Sequence, residues 1–406
     1  MATEVAPKPG VYLYNDNKSF DNISNNAGLY VHIPFCKKKC GYCNFYSTTN
    51  LLLKKKFLQT LFMEMEQYRG CDLIFDTIYF GGGTPSILTA EEISSILDKI
   101  HRLFRVHEDV EITLEANPGT VGYKNFCQYA HAGINRLNFG IQSFDDSNLK
   151  FLGRIHSSRD ARLAINLARD AGFSNIGFDM MYGLAEQSLE KWQKDLETAL
   201  SFFPEHLSCY MLSYEKNTPL YESRKNGDIL PLNDDLEGNL FSFTWQFLLS
   251  QNYVPYEISN FSRRDPETSG KYRSRHNQKY WHFAPYLGFG PSSHSYVDPV
   301  RFWNHKSLYG YMHAVESRRS PVETREILST EQQMIESIFL GLRTSEGIDI
   351  KRFEQKFGAG FFQLLPALLE GMADKGYVYL SDTRCALTAP GMRFHDSICD
   401  LIVGAL

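Results

Sequence analysis

The sequence predicts an α/β protein with a mainly parallel sheet, followed by a smaller region that is mostly helical. Between residues 29 and 260, short runs rich in β-branched and aromatic residues alternate with longer runs of helical periodicity. Strict alternation of strand and helix is typical of parallel βα units, which build an open sheet or a full or partial barrel. After residue 327 helical periodicity dominates, with one strand-like run at residues 377–380.

The predicted strands cover residues 29–33, 77–80, 110–115, 136–141, 176–181, 207–212 and 254–258. The predicted helices lie between them, near residues 53–68, 90–104, 121–132, 158–171, 188–202 and 236–250. The helix near residue 90 begins with Thr89 and Glu92, which have the spacing of a capping box.

Composition excludes several classes of function. The chain has 406 residues and a net charge of -5, so it lacks the basic surface that a nucleic-acid partner requires. No apolar run approaches the ~20 residues of a membrane-spanning helix, so we expect membrane association only through partner proteins. Residues 1–28 show neither a signal peptide nor a transit peptide, and five cysteines are scattered without pairable spacing. We therefore expect a cytoplasmic protein. These cysteines are Cys71, Cys127, Cys209, Cys385 and Cys399.

Three further cysteines follow the first predicted strand with the spacing Cys-x3-Cys-x2-Cys. They are Cys36, Cys40 and Cys43. Three thiolates suit an iron-sulfur cluster in which three of the irons each bind one protein ligand. The fourth iron then has no protein ligand and is open to chemistry. The motif therefore predicts a reactive metal centre on a loop after the strand.

Two alternatives explain the same cysteines. On a helix they would form one apolar stripe, but Pro34, Gly41 and three consecutive lysines disfavour a packed helix there. A structural zinc site normally has four protein ligands, and His32 is the one nearby residue that could complete it.

Polar residues follow the predicted strands at the point where each strand ends. In barrel-like α/β folds this end carries the functional groups, so these residues should converge on one cavity above the cysteine loop. They are Gly81, Gly82, Gly83, Thr84 and Pro85 after the second strand, Glu115 and Asn117 after the third, Gln142 and Ser143 after the fourth, and Asp179 in the fifth.

These motifs together, with aromatic Tyr42 before the last cysteine, resemble the radical S-adenosylmethionine (SAM) superfamily. More narrowly they resemble the HemN/HemW family, which contains oxygen-independent coproporphyrinogen III oxidases and heme chaperones. The resemblance implies a partial (β/α)6 TIM-like barrel of the radical SAM type with a small, mostly helical, winged-helix-like C-terminal domain. It also implies a 4Fe-4S cluster on the three cysteines and SAM beside it. The implied SAM contacts are Tyr30, Tyr42, Gly81, Gly82, Gly83, Thr84, Glu115, Gln142, Arg154 and Asp179.

A later motif points to heme. Residues His276, Asn277, Tyr280 and Trp281 match the HNxxYW pattern that marks the chaperones of this family and is absent from the oxidases. A histidine can ligate heme iron, aromatic rings can cover the porphyrin, and Arg273 and Arg275 could meet its propionates. His294 is a second candidate ligand.

One position separates the two branches of the family. The oxidases carry another cysteine two residues after the third, where this chain has Phe45. The resemblance therefore implies a heme chaperone that inserts heme into respiratory proteins and receives it from a bacterioferritin-like donor. It implies no coproporphyrinogen III dehydrogenase activity. The alternative is a radical SAM enzyme that decarboxylates coproporphyrinogen III or methylates or opens heme. A barrel enzyme with a zinc site is a third hypothesis.

The predicted domains are an N-terminal tail (residues 1–28), the barrel (29–260), a connecting segment with the heme motif (261–326) and the C-terminal domain (327–406). The last of these has no basic stripe, so we interpret it as a lid or an interaction surface and not as a DNA-binding winged helix.

Overall fold

The computed structural model of the chain describes residues 26–358 and 366–405. The predicted tail therefore lies almost entirely outside the described residues. Within them, six parallel strands form the centre of a 12-stranded sheet. These strands are β1 (Ala27–Ile33), β2 (Ile74–Gly82), β3 (Arg105–Ala116), β4 (Arg136–Gln142), β5 (Ile176–Tyr182) and β6 (His206–Met211).

Helices alternate with these strands, as the pattern predicts. They are α1 (Lys54–Gln67), α2 (Ala90–Leu103), α3 (Tyr123–His131), α4 (Asp146–Phe151), α5 (Ser158–Asp170), α6 (Leu189–Leu200), α7 (Pro219–Lys225) and α8 (Asp234–Ser250). The last two of them, α7 and α8, follow β6. The capping box of α2 is formed: Thr89 Oγ1 accepts from the Glu92 amide, and Glu92 accepts from the Thr89 amide. The short helices α4 and α7 had no counterpart in the sequence pattern.

The sheet stays open, so the barrel is partial. On the side of β6 it ends in a hairpin of β7 (Tyr253–Pro255) and β8 (Asn260–Arg263), both antiparallel to their neighbours. The prediction of a longer strand at residues 254–258 was wrong in length, and this strand is not a further parallel βα unit. A connection from residue 255 to residue 260 is too short for the crossover that parallel pairing needs.

On the other side the sheet continues into residues 286–327. Strand β9 (Tyr286–Phe289) pairs in parallel with β1, and β10 (His294–Val297), β11 (Val300–Asn304) and β12 (Val322–Ile327) follow in antiparallel order. Helices α9 (Arg275–Trp281) and α10 (Leu308–Glu316) belong to the same segment. The stretch predicted as a connection with the heme motif thus builds four strands of the main sheet.

The C-terminal region is mostly helical, as predicted, around a small three-stranded sheet. Its elements are α11 (Thr330–Leu342), β13 (Ile348–Asp349), α12 (Ile350–Phe357), α13 (Pro366–Asp374), β14 (Val378–Leu380), β15 (Arg384–Leu387), α14 (Ala389–Arg393) and α15 (His395–Val403).

The two faces of the barrel strands differ in chemistry. On β4, Leu137, Phe139 and Ile141 are buried in the hydrophobic core, while Arg136 and Asn138 line a cavity on the other face. Because side chains alternate between the faces of a strand, each barrel strand can contribute apolar residues to the core and polar residues to the interior of the barrel. A polar barrel interior needs ligands, water or paired side chains to satisfy it, so it is the natural place for a binding site.

Candidate functional site

A cavity of about 580 Å³ extends from the cysteine loop into the interior of the barrel. It brings together twelve of the thirteen residues predicted to hold the cluster and SAM. Those that line it are Tyr30, Cys36, Cys40, Tyr42, Cys43, Gly82, Gly83, Thr84, Glu115, Gln142, Arg154 and Asp179. Gly81 lies behind this wall, packed so closely that an added Cβ would approach the Tyr30 ring to 2.9 Å.

The cysteine loop is held at its base and in its middle. The Cys36 amide donates to the Thr48 carbonyl at 3.0 Å, and the Thr48 amide donates to the Pro34 carbonyl at 2.7 Å. The Gly41 amide donates to the Leu152 carbonyl at 3.2 Å, which ties the loop to the residues after α4. The loop therefore presents its thiols toward the cavity from a defined position.

All three thiols are free, and those of Cys36 and Cys40 accept hydrogen bonds. Thr84 Oγ1 donates to Cys36 Sγ at 3.5 Å, and Arg154 Nη1 donates to Cys40 Sγ at 3.4 Å. Burial raises the pKa of the Cys43 thiol. Among the described residues no three His, Cys, Asp or Glu side chains gather around the position of a single ion. Cysteines that bind separate irons of one cluster do not need such a shared point, so the loop fits a cluster held at three irons.

The glycine loop after β2 lies directly against the cysteine loop. The Gly83 amide donates to the Ile33 carbonyl at 2.8 Å, and the Thr84 amide donates to the Phe35 carbonyl at 2.8 Å. A Cβ on Gly83 would come within 2.7 Å of the Phe35 oxygen, and Gly82 has a φ of 107°. Glycine is required here because only it permits this close approach and this backbone conformation.

Arg154 joins the cysteine loop to the ends of two strands. Its Nη2 donates to Asn117 Oδ1 at 2.5 Å and to the Gly140 carbonyl at 2.7 Å. Asn117 Nδ2 in turn donates to Thr84 Oγ1 at 2.9 Å. This partly buried guanidinium places a positive charge beside the thiols, which favours a bound anion or a ligand carboxylate at the mouth of the barrel.

Two carboxyl groups lie deeper in the barrel. Glu115 accepts from Tyr79 OH at 2.8 Å, and Asp179 accepts from Asn138 Nδ2 at 2.8 Å. Burial, and then the nearby charge of Asp179, raise the pKa of Glu115 to about 7. Burial likewise raises the pKa of Asp179. Glu115 can therefore exchange a proton near neutral pH, and both groups can accept hydrogen bonds from ligand hydroxyls.

Gln142, at the end of β4, has a φ of 69° and a register shift before it. A left-handed backbone in a residue other than glycine stores strain, and such strain is concentrated at binding sites. The register shift is a β-bulge between Gly140 and Gln142, and the Gln142 side chain lines the cavity.

The helix that carries the HNxxYW motif packs against the barrel interior. His276 is 1% exposed, and its ring stacks on Tyr79 at 5.0 Å between centroids. His276 Nδ1 is 2.8 Å from Thr77 Oγ1, and Nε2 is 3.0 Å from Tyr280 OH. Burial lowers the pKa of His276 to about 3, so the ring is neutral. Trp281 packs edge-on against Tyr256.

The motif residues thus have different surroundings. Asn277 lines the cavity, whereas His276, Tyr280 and Trp281 are outside its lining. The two arginines proposed for propionates are both in ion pairs, Arg273 with Glu346 and Arg275 with Asp109 at 3.2 Å.

His294, the second candidate, is exposed. Its ring stacks on Trp303 with centroids 5.5 Å apart.

Sequence reasoning missed several polar residues inside the barrel. Tyr79, Arg136, Asn138, His206 and Ser208 all line the cavity. Each lies within a strand and not after it, and the available signal was the alternation of side chains along β2, β4 and β6.

Comparison with known proteins places the chain in a family. The radical SAM superfamily matches residues 30–199, and the HemN C-terminal domain matches residues 328–394. A heme chaperone HemW of Bacillus subtilis is 32% identical over 391 residues, which are 93% of this chain and 99% of that protein. The chain belongs to the HemN/HemW family of radical SAM proteins. The resemblance inferred from the motifs is thereby confirmed, and membership of the superfamily implies a 4Fe-4S cluster and SAM.

Further relatives and one solved structure are consistent with this family assignment. The heme chaperone HemW of Escherichia coli is 38% identical over 275 residues, 66% of this chain and 70% of that protein. A mitochondrial radical S-adenosyl methionine domain-containing protein 1 of Bos taurus is 30% identical over 350 residues, 82% of this chain and 76% of that protein. The structure of Escherichia coli coproporphyrinogen III oxidase (HemN) superposes with a TM-score of 0.80 at 22% identity and covers 95% of this chain and 91% of that one. This likeness confirms the predicted fold. None of the helices in residues 26–358 and 366–405 is long and apolar enough to cross a membrane.

Proposed function

We propose that this protein is a heme chaperone that holds a 4Fe-4S cluster and SAM and inserts heme into respiratory proteins. The observation that carries the proposal is the match to a protein named heme chaperone HemW over 93% of this chain and 99% of that relative. A match of this extent includes both the barrel and the C-terminal domain, so the two parts are combined as they are in that relative.

The residues around the cavity fit the implied cofactors. Cys36, Cys40 and Cys43 would hold the cluster, and a cluster with SAM bound supplies one-electron reductive chemistry. Arg154 places its charge beside Cys40 and orders the surrounding loops through Asn117. The glycine loop offers backbone groups at close range, and the acids deeper in the barrel can accept ligand hydroxyls. We propose Tyr30, Tyr42, Gly81, Gly82, Gly83, Thr84, Glu115, Gln142, Arg154 and Asp179 as the SAM site.

Phe45 argues for the chaperone over the oxidase. Its side chain is 70% exposed at the rim of the cavity, where the oxidases have an additional cysteine. The exposed phenyl ring of Phe45 lies beside the mouth of the cavity. Such an exposed apolar group is better suited to contact another apolar surface than to exclude water from the site.

We place the heme at the helix with the HNxxYW motif. His276 has both ring nitrogens engaged, so ligation of iron through Nε2 requires release of its hydrogen bond to Tyr280. His294 is the alternative ligand and is already exposed. The proposed partners are heme, respiratory proteins that accept it and a bacterioferritin-like donor, and the proposed location is the cytoplasm.

The test is an anaerobic hemin titration of cluster-reconstituted protein, followed by the Soret band. His276→Ala should weaken or shift the band, and added imidazole should restore the wild-type spectrum if His276 ligates iron. His294→Ala tests the alternative ligand, and His101→Ala, an exposed histidine on α2, is the matched control. Saturable binding that neither variant changes would remove His276 and His294 as ligands, and no heme binding by the wild type would refute the chaperone proposal.

Product analysis separates the chaperone from the enzyme. Protein with SAM, a reductant and coproporphyrinogen III or heme should release no decarboxylated, methylated or ring-opened tetrapyrrole. Turnover of either compound would favour the radical SAM enzyme instead.

A further inference from the structure

Helix α9, which carries the HNxxYW motif, has a fixed position against the barrel interior. Glu111 on β3 holds its N-terminus and accepts from the amides of Arg275 at 3.2 Å and His276 at 3.1 Å. His276 Nδ1 is 2.8 Å from the hydroxyl of Thr77, the residue on β2 that pairs with Glu111. Thr77 and Tyr79 are two residues apart on β2, so their side chains point to the same face of the sheet. This face brings His276 next to Tyr79.

Three rings form one cluster at this point. The His276 ring stacks on Tyr79 with centroids 5.0 Å apart and planes inclined by 26°. Tyr30 on β1 stacks against both, 6.2 Å from Tyr79 and 6.3 Å from His276. The His276 ring is confined by the Tyr280 hydroxyl, 3.0 Å from Nε2, and by Gly28, where an added Cβ would lie 3.1 Å from Cε1. Packed aromatic rings at these separations attract one another, so the Tyr79 ring has a defined orientation.

Tyr79 connects the ring cluster to the cavity. It is 9% exposed and lines the cavity, and its hydroxyl donates to Glu115 Oε1 at 2.8 Å. A phenol is protonated at neutral pH, so the hydroxyl is the donor. A hydrogen bond holds a carboxylate in one place only when packing fixes the side chain that donates it. His276 provides that packing for Tyr79.

Glu115 is one of the acids proposed to accept a hydroxyl of SAM. Burial, and then the charge of Asp179, raise its pKa to about 7, and the hydrogen bond from Tyr79 opposes this rise. Loss of that hydrogen bond would leave more of the Glu115 carboxyl protonated at pH 7, and a protonated carboxyl is a poorer acceptor. The titratable and charged groups that face Glu115 are Tyr30 on β1, Tyr79 on β2, Arg136 on β4, Asp179 on β5 and Tyr280 on α9.

We propose that His276 is a positioning residue of the SAM site, which acts through Tyr79 to hold the Glu115 carboxylate. This role rests on the proposed function, because it needs SAM at the cavity, but it requires no heme. It differs from heme ligation, for which His276 would have to leave Tyr280, since it uses the ring where the structure places it.

The measurement is a calorimetric titration of SAM into anaerobic, cluster-reconstituted full-length protein at several pH values around 7. Tyr79→Phe keeps the ring and removes the donor, so the midpoint of the pH dependence of SAM affinity should rise by about one unit. Affinity at pH 7 should then fall about fivefold, since less Glu115 is ionised. His276→Leu should move the midpoint in the same direction, and His276→Phe, which keeps an aromatic ring beside Tyr79, should move it less.

A double variant tests whether His276 acts through Tyr79. In Tyr79→Phe/His276→Leu the midpoint should equal that of Tyr79→Phe, because no hydroxyl is left to position, whereas independent effects would add. Matched controls remove a buried tyrosine hydroxyl and a buried histidine elsewhere. Tyr129→Phe on α3 loses a hydrogen bond of 2.6 Å to a backbone carbonyl, and His395→Ala on α15 loses one of 2.9 Å. Neither should move the midpoint.

Equal midpoints in the wild type and Tyr79→Phe would overturn the proposal, and so would a shift from His276→Leu that adds in full to that of Tyr79→Phe. In both cases the SAM site itself would stand. A wild type that binds no SAM would instead refute the proposed SAM site, and this role with it. Circular dichroism establishes that each variant is folded, and the Tyr79→Phe comparison does not depend on any His276 variant.

Discussion

Glu64 on α1 provides a sharp test of how the sheet extension is attached to the barrel. Its side chain is fully buried, and it accepts from the Gly290 amide at 2.8 Å, from Tyr311 OH at 2.6 Å and from Asn304 Nδ2 at 2.5 Å. These three donors lie after β9, on α10 and at the end of β11. One carboxyl group therefore joins α1 to the segment that extends the sheet.

Burial raises the pKa of Glu64 from 4.5 to about 7. Between these pH values the carboxyl is protonated in the folded protein and ionised in the unfolded chain, so stability falls as pH rises through this window. The shift corresponds to about 3 kcal/mol of stability that is present below pH 4.5 and lost above pH 7. Glu64→Gln cannot ionise but loses one acceptor, which costs about 1 kcal/mol.

The variant should therefore be about 1 kcal/mol less stable than wild type at pH 4.5 and about 2 kcal/mol more stable at pH 8. Urea unfolding of both proteins across this range gives the difference directly, because the titration of other groups cancels. Glu66→Gln is the control on the same helix. Lys99 and Arg69 lower the pKa of Glu66, so its pH dependence should have the opposite sign. A difference between Glu64→Gln and wild type that does not change with pH would refute the reasoning.

Three further predictions concern the site. Cys43→Ala should lose most of the iron and sulfide that wild type takes up on anaerobic reconstitution, whereas Cys127→Ala should not, and metal analysis that finds equal iron in both would contradict the cluster assignment. SAM affinity should rise as pH rises through about 7, where Glu115 ionises, and calorimetry of Glu115→Gln should show that this dependence is gone. Thr77→Val removes the hydrogen bond to His276 Nδ1 and should lower the free energy of unfolding by about 1 kcal/mol, and unchanged stability would mean that this contact is not formed.

Local pattern predicted the parallel part of the fold closely. Helix α5 was expected at residues 158–171 and spans Ser158–Asp170, and the strand predicted at residues 176–181 lies within β5. Both signals are local, since amphipathic periodicity and alternation need no knowledge of distant residues. The strands β9 to β12 gave weaker signals. They are four to six residues long, and the segment joins the sheet through β9, which pairs with β1 although the two strands are far apart in sequence.

Some residues of the candidate site could likewise be predicted from local sequence, and others could not. Cys36, Cys40 and Cys43 are close in sequence, so spacing alone indicated a metal centre. Arg136 and His206 lie on different strands, and nothing in their local sequence says that both face the cavity. Their relation depends on the register of β4 against β5 and of β5 against β6.

The sequence by itself determined the α/β class, the order of the parallel units, the cysteine motif and, through its combined motifs, the family. These depend on short-range spacing and on residue type. Only the tertiary structure decided that the HNxxYW helix packs against the barrel interior with His276 between Thr77 and Tyr280, and that the His276 ring lies against Tyr79. The physical reason is that strand register and helix docking are chosen by the packing of the whole chain, and partners that are distant in sequence leave no local pattern.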